Sequence, residues 1–521
     1  MEPRPRRRHS RHTTQITVVR PPERNGADHP VHGTASDRRS ARLRRLHQSV
    51  HGLHELAPEM SAYRTLTLAQ GALLFALAAG TIVAVATWRL QVATVLCGLG
   101  TALYLVVFLY RLTIFCQVLR SPDQVTVTDE EAEAIPDADL PVYTVMVPAY
   151  HEPEVINHTI AALESLRYPR ELLDVMLLLE QDDVDTIEAA RAAGPASHIR
   201  IIEVPPAHPR TKPKACNYGL TFARGTLLTI YDAEDRPDPL QLRRAVAAFG
   251  RLDGPISCLQ ARLSYHNATQ NILTRWFTAE YNAWFGGLLP ALVRQGVPVP
   301  LGGTSMHIKR AVLERVGAWD PHNVTEDADL GVRLHRLGYR TLVLDSTTLE
   351  EANSDFVNWV KQRSRWYKGY MQTWLVHVRH PLRLLHEVGL WGFLGFHLVV
   401  GGTPFLALVN PVFWVLAVLW AVVKLPLVAA LFPIVIYYPA MFCLIVGNFF
   451  VLYTHLVILR VSGEERLVWA VLLSPLYWLM MSIAAVKAFL QLFTAPWRWE
   501  KTTHGLDLPS AAEEVAVGAG E

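Results

Sequence analysis

Charge and cysteine are both scarce in this 521-residue chain: 18% of its residues are charged, against 50% hydrophobic. Its five cysteines (Cys97, Cys116, Cys216, Cys258, Cys443) show neither metal-ligand spacing nor a paired framework. That excludes a disulfide scaffold and leaves reduced, inert thiols. Lysine is missing from the first 64 residues, which carry thirteen arginines instead, and aromatic residues are missing before Tyr63. An arm without stacking rings fits lipid better than RNA, so residues 1–64 read as a disordered basic cytosolic arm. The net charge of +2 likewise gives no reason to expect a nucleic-acid partner.

What is present is long apolar runs. Thr65–Trp88 and Gln91–Tyr110 are each long enough to cross a hydrocarbon core, which takes about 20 residues. Separated by Arg89 and Leu90, they predict a hairpin of two transmembrane helices over 65–110. The arginine-rich arm then puts the N-terminus and everything after the hairpin in the cytosol, as a multi-pass protein of the cell membrane. No apolar stretch near the start fits a signal peptide. Downstream, Leu390–Val409, Pro411–Val423, Leu431–Leu456 and Leu467–Leu492 predict about four further spans within 376–493, behind an interfacial helix. Only Lys424, at an end, and Lys487 carry charge in these runs, which argues against a transporter.

Between the apolar blocks the texture is α/β. Val142–Val147, Val175–Leu179, Ile201–Val204 and Leu227–Tyr231 read as strands; Ile156–Leu166, Ala215–Ala223 and Leu240–Phe249 read as helices. The alternation predicts a largely parallel sheet with helices on both faces. Ligands of such sheets bind at the carboxyl ends of strands, where Tyr150-His151-Glu152, Gln181-Asp182-Asp183 and Asp232-Ala233-Glu234-Asp235 follow the apolar runs.

Three carboxylates within four residues (Asp232, Glu234, Asp235) repel one another unless a cation sits among them, and an oxygen-only set suits Mg2+ or Mn2+. A solvated acidic turn partnered by Arg236 is the plain alternative. Thr325-Glu326-Asp327 could supply a general base, or could simply cap and open a helix. Lys212, Lys214 and Asn217 at a helix start could meet phosphates, and Gly302-Gly303-Thr304 lets backbone approach a ligand. In Gln362-Arg363-Ser364-Arg365-Trp366, Arg365 could clamp a diphosphate and Trp366 stack on a ring, unless the pair is an interfacial anchor.

In order along the chain, Val147-Pro-Ala-Tyr-His-Glu152, Asp182-Asp183, Lys212 to Asn217, Asp232-Ala-Glu234, Gly303-Thr304, Thr325-Glu-Asp327 and Gln362-x-x-Arg365-Trp366 resemble the inverting family-2 glycosyltransferases of the processive, cellulose-synthase-like type. The resemblance covers about 115–375 and the flanking spans. It implies a GT-A, Rossmann-like nucleotide-sugar-binding cytosolic domain (111–375) inserted between transmembrane helices. Glu152, Asp183, Lys212 and Asn217 would then contact a UDP-sugar or GDP-sugar donor, and Asp232 with Glu234 or Asp235 would hold Mg2+ or Mn2+. Asp327 would be the catalytic base, while Gly303, Thr304, Glu326, Gln362, Arg365 and Trp366 would line the acceptor and diphosphate site. The sequence departs from the family's Asp-x-Asp at the metal pair, where it has Asp232-Ala-Glu234 followed by Asp235.

Trp497-Arg-Trp-Glu-Lys-Thr-Thr-His504 also resembles the gating segment of polysaccharide synthases, with Lys501, Thr502 and His504 placed to meet phosphates, ahead of an acidic tail within 494–521. The expected reaction is transfer of a hexose, with inversion, to a growing β-linked glycan that leaves across the membrane past aromatics such as Trp374, Trp391 and Trp414. The alternative is a single transfer to a lipid acceptor. Membrane lipids and an accessory subunit are the further expected partners.

Overall fold

The computed structural model describes residues 35–120 and 124–501. Thr502, His504, the acidic tail and most of the basic arm lie outside the described residues. Residues 1–43 and 44–521 form separate units, and in the first only the opening turns of helix α1 (Ala35–Leu56) are described. Helices α2 (Leu68–Thr87) and α3 (Arg89–Val118) follow. Here α3 runs eight residues past the expected end at Tyr110, because Leu112–Cys116 stays apolar and a lone Arg111 does not interrupt a helical ladder.

The sheet has nine strands: β1 (Gln124–Val125), β2 (Tyr143–Ala149), β3 (Leu173–Glu180), β4 (Ile199–Val204), β5 (Leu227–Ile230), β6 (Arg236–Pro237), β7 (Ile256–Tyr265), β8 (Met306–Lys309) and β9 (Arg340–Glu350). In space they run β1-β9-β7-β8-β5-β2-β3-β4, with β6 paired to β9. Strands β2 to β5 are the runs of β-formers visible in the sequence. Burial of nearly every residue in β2 and all of β3 is what a sheet covered on both faces requires. The sheet is mixed, since β8 runs antiparallel between β5 and β7. Because β2 pairs with β3 on one side and β5 on the other, the carboxyl ends of β2 and β5 border one crevice.

Three helices bring side chains to that crevice: α4 (Lys212–Leu220), α5 (Glu326–Arg336) and α6 (Phe356–His377). Asp355 caps α6 by accepting from Asn358 N at 2.7 Å.

Among the described residues, five helical stretches are long and apolar enough to cross a membrane: α2, α3, Pro381–Val423, Ile434–Val461 and α7 (Ser474–Thr494). Downstream of the sheet there are thus three candidates, not four. The expected pair Leu390–Val409 and Pro411–Val423 is one continuous helix, since Pro411 costs only a local hydrogen bond and is tolerated inside. The break falls earlier, at Gly389, whose φ of 71° suits glycine alone.

Helix α7 lies along α6. Its buried stripe, Tyr477, Ala484, Ala485, Ala488 and Leu492, uses small residues so that the two helices pack closely with Trp359, Tyr367, Met371 and Leu375. Tyr477 near its start donates to Glu280 Oε2 at 2.7 Å, and Ala495 O just past its end accepts from Lys368 Nζ at 3.1 Å. The opposite stripe, including Leu476, Ile483, Leu490 and Phe493, is exposed.

Candidate active site

A cavity of about 480 Å³ opens at the carboxyl ends of β2 and β5, within the size range of small-ligand sites. Its lining includes Tyr150, Glu152 and Arg210, and also Tyr370 and Thr403. Arg210 donates to Tyr150 OH at 2.6 Å and pairs with Asp182 at 2.8 Å. At the turn after β2, His151 holds a left-handed φ of 53°, fixed by Asp183, whose Oδ2 accepts from His151 N.

Lys212 of α4 is the central cation. Its ammonium is paired with Asp232 and donates to Gly303 O at 2.8 Å. Burial opposes that charge, but Asp232 and Glu326 outweigh it and raise the pKa, so Lys212 is cationic at any working pH. A Cβ on Gly303 would stand 3.4 Å from Asp327 Oδ2 and 3.5 Å from Lys212 Nζ, ordinary contact distances that bring both groups up against this stretch of backbone. Base candidate and cation thus meet over a bare backbone.

Of the three carboxylates after β5, Asp232 and Glu234 line the cavity and Asp235 does not. Asp235 is buried; it accepts from Asp232 N at 2.7 Å and from the Thr304 hydroxyl, closing the turn. Burial, then the charges of Asp232 and Glu234, push its pKa up. Glu350 at the end of β9 joins the same acidic wall, its pKa also raised by burial and by Asp235, Asp232 and Glu234.

At the start of α5, burial pushes Asp327 up to about 6 and Glu326 up to about 8, with Asp327's charge adding to the latter. Their environments separate the two roles, ionised Asp327 beside protonated Glu326 near neutrality. Asp327 Oδ1 has no hydrogen-bond partner in the protein and is out of solvent, whereas Thr325 sits at the N-cap position with a hydroxyl that caps nothing. Transfer should therefore rise with pH through about 6, because a base must shed its proton and Asp327 keeps one below that point. Initial rates from about pH 5 to pH 8 check this, and a flat profile would remove Asp327 as the base.

On α6, Gln362, Arg365 and Trp366 all face the cavity. Arg365 lies 4.3 Å from the ring of Trp499, a cation–π contact between α6 and the C-terminal segment. Behind them Arg363 makes a fork with both Glu280 oxygens (2.9 and 2.5 Å) and stacks on Trp366 at 4.6 Å. Lys501 donates to His151 O at 2.6 Å and lies 3.5 Å from Glu152, bridging to the 150–152 turn.

The structure thus brings Glu152, Lys212, Asp232, Glu234, Gly303, Thr304, Glu326, Asp327, Gln362, Arg365, Trp366 and Lys501 to one cavity. It does not bring Asp183, Asn217 or Asp235 there. Asp183 is spent on the 150–152 turn and on capping the helix Val184–Ala192, accepting from Thr186 N at 3.3 Å. Asn217 donates to Trp319 O at 2.8 Å and to Ser49 O at 3.1 Å, a structural link within the 44–521 unit. Lys214 is buried against Glu180 at 2.6 Å. Trp374, Trp391 and Trp414 do not line the cavity; the ring of Trp374 packs on Gly401. Arg210, Glu280, Glu350 and Tyr370 do line it and were not picked out from the sequence. Glu350 obeys the strand-end rule that located Asp232, and reading β9 would have found it.

A mixed sheet thus carries an acidic, cationic and amide-lined cavity at its strand ends. Residues 141–369 match the family model described as "Glycosyltransferase like family 2". The chain is similar to the beta-monoglucosyldiacylglycerol synthase of Synechocystis sp., 26% identical over 283 residues, 51% of this chain and 57% of that protein. It is similar also to the probable glucomannan 4-beta-mannosyltransferase 1 of Arabidopsis thaliana, 28% identical over 250 residues, 46% of this chain and 44% of that protein. The chain spans about half the length of the curated relatives it matches. Among solved structures, the mannosyltransferase PcManGT from Pyrobaculum calidifontis in complex with GDP-Man and Mn2+ aligns with 74% of this chain and 99% of its own, at 18% identity and a TM-score of 0.47.

Proposed function

We propose that this protein is a multi-pass enzyme of the cell membrane that transfers a hexose from a nucleotide sugar, with inversion, to a growing β-linked glycan. The observation that carries the reading is that Asp327 and Lys212 both come up against Gly303 in a cavity also lined by Asp232, Glu234, Gln362, Arg365 and Trp366.

In the reaction, Asp327 takes the proton of an acceptor hydroxyl whose oxygen attacks the anomeric carbon, while the bond to the nucleoside diphosphate breaks on the opposite side. A single displacement inverts that carbon. The leaving diphosphate gains charge, which Lys212 and Arg365 are placed to balance. Asp232 and Glu234 fit a divalent cation, Mg2+ or Mn2+: two oxygen ligands on one wall, with Lys212 engaged at Asp232 alone. Among the described residues no three His, Cys, Asp or Glu side chains group closely enough to hold a metal. The donor's phosphates would therefore complete the shell, the usual habit of Mg2+. Such an ion would supply Lewis-acid charge to the departing diphosphate.

With α7 lying along α6, the crossing helices are α2, α3, Pro381–Val423 and Ile434–Val461, and the segment after α7 stays beside the catalytic domain. The arginine-rich arm sets that side as cytosolic. Residues 495–501 close over the donor end through Trp499 and Lys501.

A second reading is transfer of one sugar to a lipid. It is favoured by the cavity's reach to Thr403, inside the apolar run, and by the similarity to a glycolipid synthase. Purified protein incubated with a panel of UDP- and GDP-sugars, with Mn2+ or with EDTA, decides. Donor consumption that EDTA suppresses, with a product cut by β-linkage-specific hydrolases, is the expected result. A single glycolipid would favour the second reading, and no consumption of any donor would sink both.

A further inference from the structure

Two side chains of α6 lie outside the chemistry of the cavity and are nevertheless wholly buried: Lys368 and Gln372 are each 0% exposed. Four residues apart, they share one face of the helix, the turns that follow Arg365. Lys368 Nζ donates to Ala495 O at 3.1 Å and Arg498 O at 2.8 Å. Gln372 Nε2 donates to Pro496 O at 3.1 Å and to His322 O at 3.3 Å, while its Oε1 accepts from Val324 N at 3.1 Å. One amide therefore touches both the 495–498 turn and the 322–325 loop, whose next residues are Glu326 and Asp327. Thr373 adds to this seam by accepting from Asn323 Nδ2 at 2.9 Å, and Asn323 Oδ1 accepts from Thr325 N at 3.0 Å.

Burying an ammonium against carbonyl oxygens alone is costly, so its contacts have to return something. The neighbouring carboxylate, Glu500, is engaged by Lys487 at 2.7 Å. What Lys368 holds is the root of the segment that places Trp499 on Arg365 and Lys501 on the 150–152 turn. The same segment is steadied from outside by Trp497, which stacks on Tyr63 at 5.9 Å and donates to Ala62 O at 3.2 Å.

We propose that Lys368 and Gln372 are positioning residues, a rack that seats the 495–501 strap over the donor end in register with the loop presenting Asp327. Strap seating and base placement become one event, because a shift of the strap root draws Gln372 away from Val324. The proposal rests on the reading of the cavity as a nucleotide-sugar site.

The test uses the full-length protein and the variants Lys368→Met, Lys368→Arg, Gln372→Leu and Lys501→Ala, followed by amide hydrogen exchange and by donor kinetics. Lys368→Met should speed exchange over 495–501 by about tenfold, and Gln372→Leu should speed it over both 495–501 and 322–327. In both, kcat/KM for the donor should fall by about tenfold or more through KM and kcat together, as small misplacements do. Lys368→Arg should recover most of the loss. Lys368→Met combined with Lys501→Ala should lose no more than the worse single variant, since both act through the strap.

Exchange confined to global unfolding, faster exchange without loss of transfer, or losses that multiply in the double variant would each overturn the rack. If the wild-type protein consumes no nucleotide sugar, the functional reading fails. The exchange measurements then decide the rack by themselves.

Discussion

Asp327→Asn is expected to slow sugar transfer by about a thousandfold, within the range general-base catalysis contributes, while donor affinity stays within about threefold of wild type. The amide has the shape of the carboxylate and keeps the packing around Gly303. It cannot accept the proton of an acceptor hydroxyl. Asp327 Oδ1 lacks a hydrogen-bond partner in the protein, so the substitution breaks no contact that holds the fold at that atom. Donor titration by calorimetry and turnover at pH 7 separate the two effects. Transfer within tenfold of wild type would mean another group takes the proton. The nearby alternative, Glu326, is pushed up to about 8 and holds its own proton at neutrality.

The second large effect is expected from a residue with no side chain. Gly369 of α6 faces Thr325, and a Cβ there would come within 2.5 Å of Thr325 Cγ2 and closer still to its hydroxyl. Thr325 is branched and buried, so it cannot swing aside. Either α6 or the loop before α5 has to move. Overpacking of this kind costs about 1–3 kcal/mol of stability. Activity should fall further than that, by about a hundredfold, because the displaced residue precedes Glu326 and Asp327. Thermal unfolding and transfer rates of Gly369→Ala test this, with Thr325→Gly added to relieve the crowding and restore part of both. Unchanged unfolding and turnover in Gly369→Ala would show that the helices have slack the packing does not suggest.

The sheet was half legible in the sequence, and the reason is chemical. Strands β2, β3 and β5 are largely apolar on both faces and run into acids, a pattern visible without partners. Strand β9 carries Asp345, Ser346, Thr347 and Thr348 in its run, and it exists because β7 pairs with it over nine registers, which no local window reveals. The site residues were legible as types and positions, since the acids and the Gln-x-x-Arg-Trp element fall where a strand or helix delivers them. Their directions were not. Asp235 turns inward because Thr304, 69 residues away, donates to it, and Asp183 turns because His151 N lies 32 residues before it. Hydropathy and length likewise mark α7 as a candidate span and are blind to its packing along α6, where Tyr477 OH accepts from Arg363 at 3.0 Å.

Helix α6 also limits how this protein can change over time. Gln362, Arg365, Gly369 and Gln372 are spaced three to four residues apart, so one straight helix aims them all at the cavity, at Thr325 and at the strap. One inserted residue would rotate everything beyond it by about 100°, moving Gly369 off Thr325 and Gln372 off Val324 together. Substitutions along this helix can be tried singly by selection, but its length cannot. Variation in segment length is therefore pushed outward, into loops and tails that share no axis with the site.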